Sequence, residues 1–346
     1  MIQPRRLPLL AGVMLAALSS GCGHDGRTPV VIYSPHGRDQ LVLMEHDFER
    51  LHPDLDMRWL DMGSQEILDR IRFEKVNPQA DVWFGGPTTI FDRGIADSLL
   101  APYRPSWAAH VGPGGVGPGD LYFPVYRTPA VIAYNRRVVA AADAPHDWDD
   151  VLAPQWRDKV LIRDPVASGT MRAIWGLILE RSIRETGDTA RGMAWLRRLD
   201  GQTKAYTLNP AILEEKLVRE EGLITLWDLP DLLIWQHKGI PFGYTFPRSG
   251  TVVIDDGIGL VRHARHRAAA QAFIDYVGGA QAQILAARRA FRLPARTDLP
   301  VDSVPGWVAE VERSMHVADV DWPMLAREGS AWMSYWDRHV RNTGKR

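Results

Sequence analysis

The stretch VVIYSPHGRDQLVLMEHDFERLHP, residues 30–53, contains a strand, a turn and a helix in immediate succession. Residues 30–33 are β-branched or aromatic, which favours a buried strand. Ser34 and Gly37 belong to a turn that breaks it. Apolar side chains then recur at helical spacing over positions 41–51. The chain therefore begins as a β-α unit with a small polar turn at the tip of its first strand.

The same alternation continues downstream. DMRWLDM (56–62) and ADVWFGG (80–86) are typical of strands, and SQEILDRIRFEKVNP (64–78) between them is typical of a helix. The order β-α-β-α-β predicts a mostly parallel sheet with helices on both faces. In such sheets, ligands bind beyond the carboxyl ends of the strands. Five residues of the turns fall there: Ser34, His36, Gly37, Gly85 and Gly86.

A second α/β unit follows a loop rich in glycine and proline at positions 110–120. YFPVYRTPAVIAYNRRVV (122–139) predicts two strands. In DWDDVLAPQWRDKVLIRDPVASGTMRAIWGLILE (147–180) the alternation restarts, with a strand that ends at Asp164 and a helix that begins near Ser168. The chain as a whole is predicted to be α/β.

Composition places the chain among globular proteins of about two domains, with 346 residues of which 45% are hydrophobic and 24% charged. Residues 1–21 combine Arg5 and Arg6 with a short apolar run, which predicts a secretory signal peptide. Cys22 is the one cysteine, and LSSGC around it resembles a bacterial lipoprotein signal, in which that cysteine is lipidated; ordinary cleavage nearby is the alternative. Without the signal, 39 basic residues face 42 acidic ones, so no nucleic-acid partner is expected.

Two turns carry small polar residues where a strand gives way to a helix. SPHG (34–37) suits a metal ligand, a catalytic base, an anion cradle or a plain turn. SGTM (168–171) suits either a helix cap or an anion site, because the first backbone N–H groups of a helix are free. The sequence contains no HExxH, CxxC, GxSxG or Walker-type motif, so no cofactor is predicted.

Four segments in this order resemble those of extracellular solute-binding proteins of ABC importers. They are VIYSPHG (31–37), NPQADVWFGG (77–86), the stretch 147–170 and GIPFGYTFPRSGTVVIDDGIGLV (239–261). The group resembled contains the periplasmic ferric-iron, sugar-phosphate and aminoethylphosphonate binders. The resemblance extends over roughly residues 28 to 300.

This resemblance implies the type II fold of periplasmic binding proteins, with two α/β lobes joined by crossing strands. The implied lobes are 28–130 plus 257–290 and 131–256 plus 291–346, after a tether at 22–27. It also implies a non-catalytic monomer that clamps a small solute between its lobes and delivers it to an ABC permease. The protein would then lie in the periplasm, anchored to a membrane by a lipid on Cys22.

The chain departs from the iron-binding branch of that group. No two tyrosines are adjacent in the sequence, and Gly85 and Gly86 stand where that branch has a glutamate. Hydroxyls and backbone N–H groups suit an oxyanion instead of a metal. The expected donors are Ser34, His36, Gly37, Gly85, Gly86, Ser168, Gly169 and Thr170, and Asp228 would accept from a hydroxyl or an amine of the ligand.

The sequence therefore predicts a binder of a small anionic organic solute, either a phosphorylated sugar or a phosphonate, with no metal site. Two alternatives stay open at this point. One is a ferric-iron carrier with altered ligands. The other is a secreted hydrolase that uses Ser168 as its nucleophile.

Overall fold

The computed structural model describes residues 26–112 and 115–343. The predicted signal peptide and the predicted lipidation site, Cys22, lie outside the described residues. Within them the chain forms strands β1 Thr28–Ser34, β2 Leu55–Asp61, β3 Val82–Pro87, β4 Leu100–Ala101, β5 Phe123–Asn135, β6 Val160–Arg163, β7 Thr203–Thr207, β8 Ile224–Asp228, β9 Phe242–Thr245, β10 Val253–Val261 and β11 Leu293–Pro294.

The helices of the described residues flank these strands. They are α1 Gly37–Leu51, α2 Ser64–Phe73, α3 Thr88–Ala96, α4 Gly169–Thr186, α5 Ala190–Gln202, α6 Pro210–Val218, α7 Leu229–His237, α8 Arg267–Val277, α9 Ala280–Arg289, α10 Gly306–Ser314 and α11 Trp322–His339. The predicted α/β architecture with two lobes is confirmed.

The first lobe is built on β1, which pairs in parallel with β2 and β3. β10 runs antiparallel to β3 on the other side. The side chains of Leu41, Met44 and Phe48 on α1 are fully buried against this sheet, as their helical spacing predicts. Because β1 and β3 are parallel, the turns after them open onto the same edge of the sheet.

The second lobe repeats this arrangement. β6 lies between β7 and β8 and pairs in parallel with both. Its core includes Trp175 of α4 and Trp336 of α11, whose rings meet edge to face at a centroid distance of 6.0 Å. The carboxyl ends of β6 and β8 lead directly into the turns before α4 and α7.

A single strand, β5, passes through both lobes. Its first half pairs with β10, and from Ala130 onward it pairs with β8 and β9. The prediction of two strands over 122–139 was wrong. Pro129 has the character of a strand breaker in the sequence, but its fixed φ suits extended backbone, and it stands where the pairing partner changes. The 13-residue strand is thus a direct covalent connection between the lobes.

The residue boundaries of the two lobes stay a prediction. β11, which follows the proposed boundary at 290, pairs with the first half of β5. In the described part of the chain, no helix is both long enough and apolar enough to cross a membrane.

Candidate ligand-binding cleft

A cavity of about 640 Å³ lies between the two lobes. Its walls come from the turns after β1, β2 and β3 in the first lobe and from those after β6, β7 and β8 in the second. The crossing strands β5 and β10 form its floor with Thr128 and Asp256. Of the nine residues predicted from sequence to bind ligand, seven line it: His36, Gly37, Gly86, Ser168, Gly169, Thr170 and Asp228.

Ser34 and Gly85 do not line the cavity; both support His36. Ser34 is fully buried, and its Oγ lies 3.1 Å from His36 Nδ1 and accepts a hydrogen bond from the backbone N–H of His36. Gly85 has φ +100°, and a Cβ built there would lie 2.3 Å from His36 Cε1. Only glycine fits, because the imidazole packs directly on its backbone.

The imidazole of His36 points toward Asp256 on the crossing strand. His36 Nε2 lies 3.9 Å from Asp256 Oδ2, too far for a hydrogen bond, and has no partner although it is buried. Burial lowers the pKa of His36, and the nearby Arg292 lowers it further. The sequence analysis counted His36 among the donors to an anion, whereas this environment favours the neutral ring over the charged one.

Asp256 ties the floor of the cleft to the first lobe. Its Oδ1 accepts a hydrogen bond from the backbone N–H of Gly86 at 3.1 Å, and Thr128 Oγ1 donates to Oδ2. Burial alone would raise the pKa of Asp256, but the charge of Arg292 and the hydroxyl of Thr128 lower it. The carboxylate is therefore ionised and held by both crossing strands.

Ser168 has the capping role that its position predicts. Its Oγ accepts a hydrogen bond from Met171 N at 3.2 Å, which satisfies one of the free N–H groups at the start of α4. Gly169 comes close to the first lobe, since a Cβ there would lie 2.5 Å from Pro87 Cδ and 2.9 Å from Ser64 Oγ. The start of α4 therefore faces the first lobe across the cleft.

Several helices direct their amino-terminal ends at the cavity. Residues of the first turn of α1, α2, α4 and α6 line it. The unpaired N–H groups of a helix start and the helix dipole both favour a negative charge. Arg163, which is buried at the end of β6 and held by the carbonyl oxygen of Thr207, adds a positive charge to the same wall.

Two neighbouring carboxylates, Asp228, which is buried, and Asp231, which is partly buried, form part of the second-lobe wall. Asp228 caps α7 through the backbone N–H of Asp231, and Trp227 Nε1 donates to Asp231 Oδ2 at 3.0 Å. Burial raises the pKa of Asp228, and the neighbouring Asp231 raises it further. Burial likewise raises the pKa of Asp231, while Arg292 opposes that shift. Two acids so close together resist being ionised at once.

Arg292 connects this pair to the first lobe. Its Nη2 donates to the carbonyl oxygen of His36 at 3.2 Å and lies 3.8 Å from Asp231 Oδ1. The side chain is 4% exposed, and its Nε has no hydrogen-bond partner. Sequence reasoning missed Arg292, because a lone arginine before a short strand carries no pattern. It also missed Asp231, although this residue stands one helical turn after the predicted Asp228.

The cleft as a whole is acidic. Seven carboxyl groups line it, on Asp39, Asp61, Glu66, Glu214, Asp228, Asp231 and Asp256, against four cations, on Arg38, Arg163, Lys238 and Arg292. The excess is three negative charges if every group is ionised. A ligand with a positive group would balance this excess, and a purely anionic one would add to it.

The described residues contain no group of three or more His, Cys, Asp or Glu side chains arranged to hold a metal ion. Ser34, His36 and Asp256 lie in line, which superficially resembles a catalytic triad. Ser34 nevertheless has no access to the cavity, so its hydroxyl cannot reach a solute there.

A two-lobed α/β fold with a polar cleft at its crossing strands is the architecture expected of solute-binding proteins. The family described as bacterial extracellular solute-binding protein matches residues 80–322, and the chain belongs to this family. It is therefore a periplasmic binding protein of an ABC transporter, which serves transport and is not an enzyme. The family implies a small solute and the membrane subunits of a permease as its partners.

Similar proteins agree with this assignment. A probable ABC transporter periplasmic-binding protein of Sinorhizobium fredii is 24% identical over 90% of this chain and 86% of its own length. A putative 2-aminoethylphosphonate-binding periplasmic protein of Salmonella typhimurium is 22% identical over 96% of this chain and 97% of its own. The solved structure of the periplasmic binding protein AfuA from Actinobacillus pleuropneumoniae, with fructose 6-phosphate bound, has a TM-score of 0.79 and 21% identity; the match covers 91% of this chain and 99% of AfuA.

Proposed function

We propose that the protein binds a small organic phosphonate or phosphate in its cleft and delivers it to an ABC permease. The observation that carries the proposal is the distribution of donors and acceptors around one cavity. Backbone N–H groups of helix starts and Arg163 are available for an oxyanion, and the carboxylates of Asp228 and Asp231 face the same space. A solute with a negatively charged group at one end and hydrogen-bond donors at the other would pair with the N–H groups and Arg163 on one side and with the two carboxylates on the other.

The oxyanion is proposed to bind at the start of α4. Gly169 and Thr170 present backbone N–H groups that the Ser168 cap leaves free, since that cap engages Met171. Gly37 and Gly86 contribute bare backbone from the first lobe, where side chains would keep the ligand away. Ser34 and Gly85 act indirectly by fixing His36.

The acidic excess favours an aminophosphonate over a sugar phosphate. An ammonium group beside Asp228 and Asp231 would compensate two carboxylates that burial partly or fully removes from water, which is costly when they are unpaired. The similarity to a protein named for 2-aminoethylphosphonate supports the same ligand class. A sugar phosphate would offer hydroxyl donors to the carboxylates but no positive charge.

Calorimetric titration of the mature protein tests the proposal. We expect 2-aminoethylphosphonate to bind more tightly than ethylphosphonate, which lacks the amine, and than fructose 6-phosphate. Asp231→Asn should weaken the binding of the aminophosphonate by about 10- to 150-fold, because a hydrogen bond to a charged group contributes about 1.5–3 kcal/mol. It should leave the affinity for ethylphosphonate nearly unchanged.

Asp39→Asn serves as the matched control, since Asp39 lines the same cleft but pairs with Lys238 at 2.7 Å. The phosphonate proposal fails if no phosphonate or sugar phosphate releases heat. Titration with ferric citrate in parallel then asks whether the acidic cleft takes a hard cation instead.

Three further features are part of the proposal. The mature chain is anchored to a membrane by a lipid on Cys22, it acts as a monomer, and its lobes have the boundaries predicted from sequence. Each is compatible with a family whose members collect solutes in the periplasm.

A further inference from the structure

Helix α11 contacts both lobes. Its carboxyl-terminal half is embedded in the second lobe, where Trp336 is fully buried and its ring meets those of Trp175 and Tyr206 at centroid distances of 6.0 and 5.3 Å. Just beyond the helix, Arg341 Nη2 lies 2.6 Å from Asp164 Oδ1. This half of α11 is fixed by large aromatic side chains and an ion pair.

The amino-terminal half of α11 lies against α3, a helix of the first lobe. Ala326, Gly329 and Ser330 occupy one face of α11, three and four residues apart. With Thr89, Ile90 and Arg93 of α3 and the first turns of α4, they surround a cavity of about 40 Å³. We call this three-helix contact the seam. It joins two helices of the second lobe to one helix of the first.

The two sides of the seam differ in strength. On the α4 side, Leu325 packs so closely on Gly176 that a Cβ there would lie 2.6 Å from Leu325 Cδ2. On the α3 side, the residues of α11 are small, and the buried Ser330 Oγ has no hydrogen-bond partner. A cavity of this size has room for about one water molecule. The α3 side of the seam is therefore packed less closely than the α4 side.

The seam also lies beside the point where the lobes meet. Pro87 and Gly169, which face each other across the cleft, both line its small cavity. When α3 moves away from α4, α11 must follow α4, since its aromatic half is fixed in the second lobe. A separation of α3 from α4 would therefore also break the contact between α11 and α3.

We propose that α11 is a strap that stabilises the closed arrangement of the lobes before any ligand binds, through Ala326 and Ser330 on α3. The strap raises the fraction of ligand-free protein in the binding-competent state. Apparent affinity scales with that fraction, so the strap sets affinity without touching the ligand. The inference rests on the two-lobed fold and not on the identity of the solute.

Small-angle X-ray scattering of the ligand-free mature protein tests the strap. Ala326→Leu adds three carbons inside the seam and should hold α3 away, which increases the radius of gyration relative to the wild type. Ala331→Leu makes the same substitution on an exposed position of the same helix and should leave the radius of gyration unchanged.

Circular dichroism first establishes that each variant is folded, and Ala326→Val replaces Ala326→Leu if the larger side chain prevents folding. A folded seam variant with the wild-type radius of gyration overturns the proposal. An equal expansion of the Ala331→Leu control also overturns it, since the effect would then not arise from the seam.

Discussion

Asp228 and Asp231 face the cleft, where they could bind a ligand, but their position there lowers the stability of the ligand-free protein. Asp228 is buried and Asp231 is partly buried in the cleft wall, and the nearby positive charge of Arg292 is also shared with the carbonyl oxygen of His36. Burial raises the pKa of both carboxyl groups because the ionised form loses its hydration. Removing one of the two charges should therefore reduce the desolvation cost and the electrostatic repulsion in the ligand-free protein.

We expect Asp228→Asn to stabilise the ligand-free protein at neutral pH. The pKa of Asp228 is raised in the folded state, so the native protein binds more protons than the unfolded chain above the ordinary value of 3.8. The free energy of unfolding of the wild type then falls as the pH rises from about 4 through the raised pKa. Asparagine still caps α7 but carries no charge. The free energy of unfolding of the variant should therefore not show the decrease with pH that Asp228 causes in the wild type.

Thermal unfolding between pH 4 and pH 8 measures this effect. The melting temperature of Asp228→Asn should exceed that of the wild type by an amount that grows with pH. Asp302→Asn, at an exposed position, provides the control. Equal pH dependence in the wild type and in Asp228→Asn would contradict the electrostatic account.

Individual site residues differed in how well sequence could find them. Gly85 and Gly86 could be predicted as site residues because two consecutive glycines after a strand indicate a main chain that is not covered by side chains at the edge of the sheet. The sequence could not show that Gly85 makes room for the His36 ring while Gly86 faces the cavity and donates to Asp256. Arg292 is distant along the chain from every other cleft residue, so only the fold brings it there.

The amino-terminal end of α4 closely approaches the first lobe at the cleft. Gly169 is packed on Pro87 at the end of β3, and the backbone N–H of Gln65 donates to Ala167 O at 3.4 Å. Lys238 of the second lobe also pairs with Asp39 of the first. That pair is about half exposed and contributes roughly 0–1 kcal/mol, so steric fit at Gly169 matters more for closure.

We expect Gly169→Ala to hinder closure. The new Cβ would lie 2.5 Å from Pro87 Cδ, and neither the proline ring nor the helix start can move away easily. The affinity for 2-aminoethylphosphonate should fall about tenfold or more, while the melting temperature of the ligand-free protein changes little. Calorimetry and thermal unfolding measure the two quantities.

Gly306→Ala is the matched control, since a Cβ there meets no atom within 4 Å. If Gly169→Ala binds as tightly as this control, the contact with Pro87 does not limit closure.

Local elements were predicted from sequence more reliably than their connections. The starts of α1 and α4 follow from turn residues and apolar spacing, which are local properties. The continuity of β5 is not local, because it depends on β10 and β8 being present to pair with successive halves of the strand. The excess of carboxylates over cations in the cleft depends on residues from both lobes, so it could not be predicted from any single segment of the sequence.

The predicted signal and lipidation site precede the residues that bind solute. The cleft, the crossing strands and the seam all lie within residues 28–343. Cys22 stands six residues before β1, so a lipid on it would tether the fold without entering it. Attachment and solute binding are therefore expected to be independent.

We expect Cys22→Ser to release the protein from membranes into the soluble periplasmic fraction. One acyl chain gives weak, reversible membrane binding, whereas several chains on one residue hold a protein firmly, and serine accepts none of them by this route. Fractionation of cells that express each form, followed by immunoblotting, measures the distribution of the protein between the membrane and soluble fractions.

The purified Cys22→Ser protein should bind solute with unchanged affinity, because the cleft is built entirely from later residues. A wild-type protein that is already soluble would refute the anchor and leave the binding proposal intact, since the two rest on different parts of the chain.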